Sequence, residues 1–158
     1  CALPILAESP QAYEGYQVLH KLFTETEFDA EELTVVWQSI NVENECHYCV
    51  PAHTGIAKMM KVSDGISEAL RNETALPTPK LEALRTFTVQ MVRNRGFVSD
   101  AQMQAFFDAG YGHRAVLDVI LGMAQKTMSN YVNHVAQTPV DEVFQPLAWR
   151  RSDKKLDV

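Results

Sequence analysis

The chain has 158 residues, 46% apolar and 22% charged, with 20 acidic against 14 basic side chains and a net charge of −6. That length and composition fit one soluble globular domain over residues 1–158, large enough to bury a core and too short for two comfortable ones. The acidic balance argues against broad binding to nucleic acid or anionic membrane, and no apolar stretch reaches the ~18 residues that a spanning helix needs.

Helix signals dominate and strand signals are nearly absent. Ser9-Pro10 reads as an N-cap followed by a first-turn proline, opening a helix with Tyr13, Tyr16, Leu19, Leu22 and Phe23 at helical spacing. Asp29 caps a second helix through about Ile40, with Leu33, Val36, Trp37 and Ile40 on one face. Asn44 is a candidate cap for a third helix, from about Cys46 to Lys61. Ser63-Asp64 starts a short helix that ends near Arg71-Asn72, and Thr78 caps the next, which runs to Asn94-Arg95-Gly96. Ser99 caps residues 100–109, and Gly110 stops them. Residues 113–136 read as a long central buried helix with Val116, Val119, Ile120, Met123, Ala124, Thr127, Met128, Tyr131 and Val135 as its apolar positions. Gly122 inside it costs about 1 kcal/mol against alanine, which points to a close helix crossing. Thr138-Pro139 ends the helix, and residues 141–149 form a short helix or turn. The expected fold class is an all-α bundle.

The chemistry concentrates in Cys46-His47-Tyr48-Cys49-Val50-Pro51-Ala52-His53. In a helix Cys49 and His53 are an i,i+4 pair and Cys46 is an i,i+3 neighbour of Cys49. Pro51 is tolerated mainly in a first turn, so the motif belongs at a helix N-terminus, where the dipole and a nearby imidazole favour a thiolate. A second thiol three residues away closes a disulfide before a sulfenic acid over-oxidises. Zinc binding is the alternative, with two thiolates and His53 as three ligands and His47 or a neighbouring subunit as the fourth, but a second Cys-x-x-Cys or His pair is missing and no metal is expected. Three cysteines make no secreted disulfide framework, so a reducing cytoplasm is expected, with Cys1 incidental.

The Cys-x-x-Cys-x-x-x-His string, followed by Thr54-Gly55-Ile56-Ala57, resembles the alkylhydroperoxidase D-like branch of the carboxymuconolactone decarboxylase superfamily. The stretch from Lys126 to His134, with Thr138-Pro139 after it, is similar to the C-terminal half of one subgroup of that branch. The resemblance implies an alkylhydroperoxidase D-like helical bundle, homo-oligomers, and thiol-dependent reduction of hydroperoxides recharged by a dithiol protein or small thiol. It implies that Cys49 attacks the peroxide, Cys46 resolves it and His53 assists proton transfer, with no haem, flavin or other cofactor. Two positions depart from the pattern. Thr34 stands where such proteins often carry a relay glutamate, with Glu32, Glu43 and Glu45 as other carboxylates within the region, and Tyr48 stands where the prototype has histidine.

Tyr131, Asn130 and Asn133 are polar groups on the long helix that need partners if buried, at a substrate pocket or at a subunit interface. His134 is either a site residue or a hydrogen-bonded core histidine, whereas His20 and His113 lie near helix ends and call for no special role. A non-catalytic redox sensor or oligomeric scaffold is the alternative to an enzyme. A lactone decarboxylase explains the fold but leaves the thiol pair idle.

Overall fold

The structure, a computed structural model, describes residues 3–151, so Cys1 lies outside the described residues. It contains α1 (Leu3–Leu6), α2 (Pro10–Thr24), α3 (Ala30–Glu43), α4 (Cys49–Met59), α5 (Asp64–Asn72), α6 (Pro79–Arg93), α7 (Asp100–Asp108) and α8 (His113–Ala136). A 3-10 helix, Glu142–Leu147, follows. No strand occurs among the described residues. No helix among them is long and apolar enough to cross a membrane.

Local chemistry sets the helix starts. Asp29 accepts the amides of Glu31 and Glu32 while the Glu32 carboxylate accepts the Asp29 amide, a reciprocal cap that satisfies donors otherwise left open at a helix start. Ser99 and Gln102 repeat the arrangement at α7, and Ser9 and Thr78 cap α2 and α6 above first-turn prolines. Gly96 and Gly110 follow α6 and α7 with φ of 86° and 96°, in the left-handed region where a side chain is strained.

The central helix is α3 rather than α8. Every residue from Glu32 to Val42 is buried, and α4, α5, α6 and α8 all pack against it. On α8 the buried positions are Val119, Gly122, Gln125, Lys126, Ser129, Asn130 and Asn133. Of its apolar positions, Val116, Val119 and Met123 pack on the core, while Leu117, Ile120, Tyr131 and Val135 are exposed, beside exposed Val18 and Leu22 of α2. In the C-terminal half of α8 the polar face, Gln125, Lys126, Ser129, Asn130 and Asn133, is the buried one, and Tyr131 and Val135 of the expected apolar positions lie outside.

The crossing expected at Gly122 is present. A Cβ built there would lie 2.7 Å from Phe23 Cε2 and 2.9 Å from Val36 Cγ1, both on fully buried side chains. Gly122→Ala should lower the urea midpoint, since overpacking of about 1–3 kcal/mol outweighs a helix-propensity gain of about 1 kcal/mol. An unchanged or higher midpoint would contradict this packing.

Candidate functional site

The approach to α4 begins three residues later than the sequence suggested. Asn44 caps the C-terminus of α3, Glu45 turns the chain with φ 53°, and Cys46 precedes the helix, its amide bonded to Asn41 O at 2.9 Å. Cys49 is the first residue of α4 and Pro51 the third, where its missing N–H costs no helical bond. No side-chain oxygen caps α4. Instead the Cys49 amide donates to Cys46 Sγ at 3.2 Å, so one of the open donors of the helix start points at sulfur. Cys46 and Cys49 are joined as a disulfide, with their Cα atoms 5.2 Å apart.

Behind the pair runs a chain of buried amides. Gln38 donates to Val50 O at 3.0 Å and to Thr54 Oγ1 at 3.1 Å, and Asn41 donates to Gln38 Oε1 at 3.1 Å. Asn130 donates to Asn41 Oδ1, and Asn44 to Asn130 Oδ1, both at 2.9 Å. These bonds lock α3, α4 and α8 around the cysteines, and buried amides must be satisfied in this way to be tolerated. Asn133 donates to Cys49 Sγ at 3.3 Å, and its Oδ1 is buried without a partner.

In front of the pair lies a cavity of about 330 Å³ between α2, α4, α8 and the 3-10 helix. Cys49, His53 and Tyr48 line it, together with Lys126, Asn133 and His20. Cys46 does not line it and is wholly buried. Tyr48 donates to Asp141 Oδ2 at 2.8 Å, and burial together with that carboxylate pushes its phenol well above the usual range.

His53 is buried against the Trp37 ring, with centroids 5.0 Å apart. Its Nε2 lies 2.8 Å from Lys126 Nζ, while its Nδ1 is buried without a partner. An ammonium can only donate, so with Lys126 charged Nε2 accepts and the ring proton sits on Nδ1. Burial first, and then the charges of Lys126 and His20, hold the imidazole pKa well below its ordinary value, so His53 is neutral. Burial alone pushes the Lys126 amine down to about 7.

The carboxylates weighed from the sequence are committed elsewhere. Glu32 caps α3 and also accepts Tyr111 Oη at 3.0 Å and Lys80 Nζ at 2.9 Å. Thr34 is buried and turns its hydroxyl to Ala30 O at 2.8 Å, off the cavity. Glu43 pairs with Arg93 and Arg151, and Glu45 with Arg151. Tyr131 and His134 stand on the exposed face of α8, so neither is a pocket or core residue. His20, read as a helix-end residue, instead lines the cavity, where its Nδ1 accepts from Gln125 at 3.0 Å and Gln125 in turn accepts from Trp37 at 2.7 Å. Lys126 is the other residue the sequence reading passed over as a site group. Its place four residues before Asn130 and seven before Asn133, on one helix face, was the available signal.

No protein-family model and no curated protein matches the chain. Solved structures do. An uncharacterized peroxidase-related protein from Ralstonia eutropha JMP134, described as an alkylhydroperoxidase AhpD core, is 19% identical with a TM-score of 0.73, covering 89% of this chain and 76% of that one. An uncharacterized peroxidase-related protein from Silicibacter sp. TM1040 is 18% identical with a TM-score of 0.68, covering 84% of this chain and 71% of that one. The helices of this chain are therefore arranged as in the alkylhydroperoxidase AhpD-like fold that the sequence resembles.

Proposed function

We propose that the chain is a thiol-dependent peroxidase or disulfide reductase acting through the Cys46–Cys49 pair. The observation that carries this reading is the asymmetry of the pair. Cys49 lines the cavity and Cys46 lies behind it, so an entering molecule meets Cys49 first. The names of the two structural neighbours agree with peroxide chemistry.

In the reduced protein Cys49 thiolate attacks the terminal oxygen of a hydroperoxide. The O–O bond breaks, Cys49 becomes a sulfenic acid, and the released alkoxide takes a proton to leave as an alcohol. Asn133 Nδ2, 3.3 Å from Cys49 Sγ, is a donor placed to stabilise the thiolate, and His53 shares the cavity wall with it. Cys46 thiol then condenses with the sulfenic acid, releasing water and forming the disulfide. A dithiol donor returns both thiols by exchange and is itself oxidised to a disulfide. Lys126 takes the place of a carboxylate behind His53, which fixes the tautomer without making the ring a stronger base.

The experiment is peroxide consumption by the reduced protein with dithiothreitol as donor and tert-butyl hydroperoxide as oxidant. The reading expects dithiol oxidation to match peroxide loss, well above the protein-free rate. Reversible oxidation of the pair without turnover would favour a redox sensor, the reading to which the lack of a carboxylate at His53 lends support. We further propose a homo-oligomer, supported by the exposed Leu117, Ile120, Tyr131 and Val135 of α8 and the exposed Val18 and Leu22 of α2. Sedimentation at micromolar concentration should show an assembly, and a monomer would contradict it.

A further inference from the structure

Lys126 is almost fully buried, yet it lines the cavity and has no carboxylate partner among the described residues. An ammonium has three N–H donors. One reaches His53 Nε2 at 2.8 Å, and no other acceptor meets Lys126 among the described residues. A buried charge left in this state is costly, and natural interiors normally pair it.

The rest of the wall repeats the imbalance. The chain carries 20 acidic residues, but none lines this cavity among the described residues. The titratable groups that share the cavity wall with Lys126 are Tyr48 just before α4, Cys49 and His53 from α4, and Tyr16 and His20 from α2; α3 presents Trp37 to His53. Asp141 stands behind Tyr48 and accepts its hydroxyl. Every group that can be charged in the wall, apart from the Cys49 thiolate, is therefore cationic or neutral near pH 7. Ile56, Ala52, Leu6 and Phe144 supply an apolar surface beside them.

We propose that this cavity is an organic-acid site, in which Lys126 Nζ receives the carboxylate of the substrate and the apolar wall receives its hydrocarbon body. The proposal rests on the reading above for calling the bound acid a substrate, and it places the reacting group of that acid at Cys49. Because α4 carries His53 one turn beyond Cys49, the acid and the reacting group are separated by a short chain, within the reach of a small amphipathic acid. The lowered proton affinity of Lys126 adds a pH signature, because the ammonium that attracts the anion is lost as pH rises through about 7.

Calorimetric titration of the disulfide form tests this without turnover, so it stands or falls separately from the peroxidase reading. The probes are hexanoate and its neutral isostere hexanamide. Hexanoate should bind at least about tenfold more tightly than hexanamide near pH 6, and the preference should shrink about tenfold or more by pH 8.5. Lys126→Gln should abolish the preference and Lys126→Arg should keep part of it. Equal binding of the two probes, absence of hexanoate binding in the millimolar range, or a preference independent of pH would overturn the proposal. The wild-type comparison decides the matter even if a variant fails to fold.

Discussion

Cys49→Ser should lower dithiol-dependent peroxide turnover by at least about 1,000-fold, because an unactivated hydroxyl cannot replace a thiolate as nucleophile. Cys46→Ser should behave differently. With no dithiol present it should consume one equivalent of peroxide and then stop with Cys49 held as a sulfenic acid, which a sulfenic-acid trap such as dimedone would capture. The difference follows from placement, since Cys49 lines the cavity and Cys46 is closed off behind it. Equal and complete loss of the first peroxide reaction in both variants would contradict the assigned order of the sulfurs.

The second large effect concerns Lys126 and appears in stability. Its folded pKa of about 7 lies below the ordinary lysine value, so the folded state binds the proton more weakly than the unfolded chain does. Below about pH 7 the ammonium is present in both states and its burial destabilises the fold in full, by about 5 kcal/mol. Between about 7 and 10 the unfolded chain alone keeps the proton, so this contribution to stability rises with pH. Lys126→Met removes the charge but leaves His53 Nε2 without its donor, an opposing cost of about 1–3 kcal/mol. The variant should therefore be more stable than the parent near pH 6, with the advantage gone by about pH 10. Urea unfolding at both pH values checks it; a variant destabilised equally at the two would contradict the buried ammonium whose bond is to a neutral His53. Retention of a destabilising lysine beside the cysteine pair fits a group kept for binding rather than for folding.

The helices were legible because their ends are written in local chemistry. Asp29, Thr78 and Ser99 satisfy open amides through bonds spanning three residues, and such bonds depend on nothing distant. The start of α4 was misplaced because Asn44 serves the helix before it and Glu45 takes a left-handed turn, which no short-range signal marks. The central position of α3 was hidden for a different reason. Burial on all sides leaves little periodicity, whereas α8 shows a clear apolar stripe, of which Ile120, Tyr131 and Val135 turn out to be exposed.

At the site, the shared face of Cys49 and His53 was legible because their i,i+4 spacing in α4 puts both on the cavity wall, whereas Cys46 precedes the helix and lies behind. His20 and Lys126 were not. They reach the cavity from α2 and α8, and only the packing of those helices against α3 and α4 brings them there. A single lysine in a sequence is ordinarily a solvated surface group, so its burial against His53 could be read only from tertiary structure. Conversely, Glu32 looked available because it lies near the expected relay position, but its carboxylate is engaged by the cap, Tyr111 and Lys80.

The most direct test of the account is to reduce the protein fully, add one equivalent of tert-butyl hydroperoxide, and map every thiol by mass spectrometry while measuring tert-butanol. The account predicts near-stoichiometric alcohol together with a Cys46–Cys49 disulfide, and it predicts no alcohol above background from Cys49→Ser. Free thiols at both positions after the peroxide has stood with the protein, or alcohol formed equally well without Cys49, would contradict it.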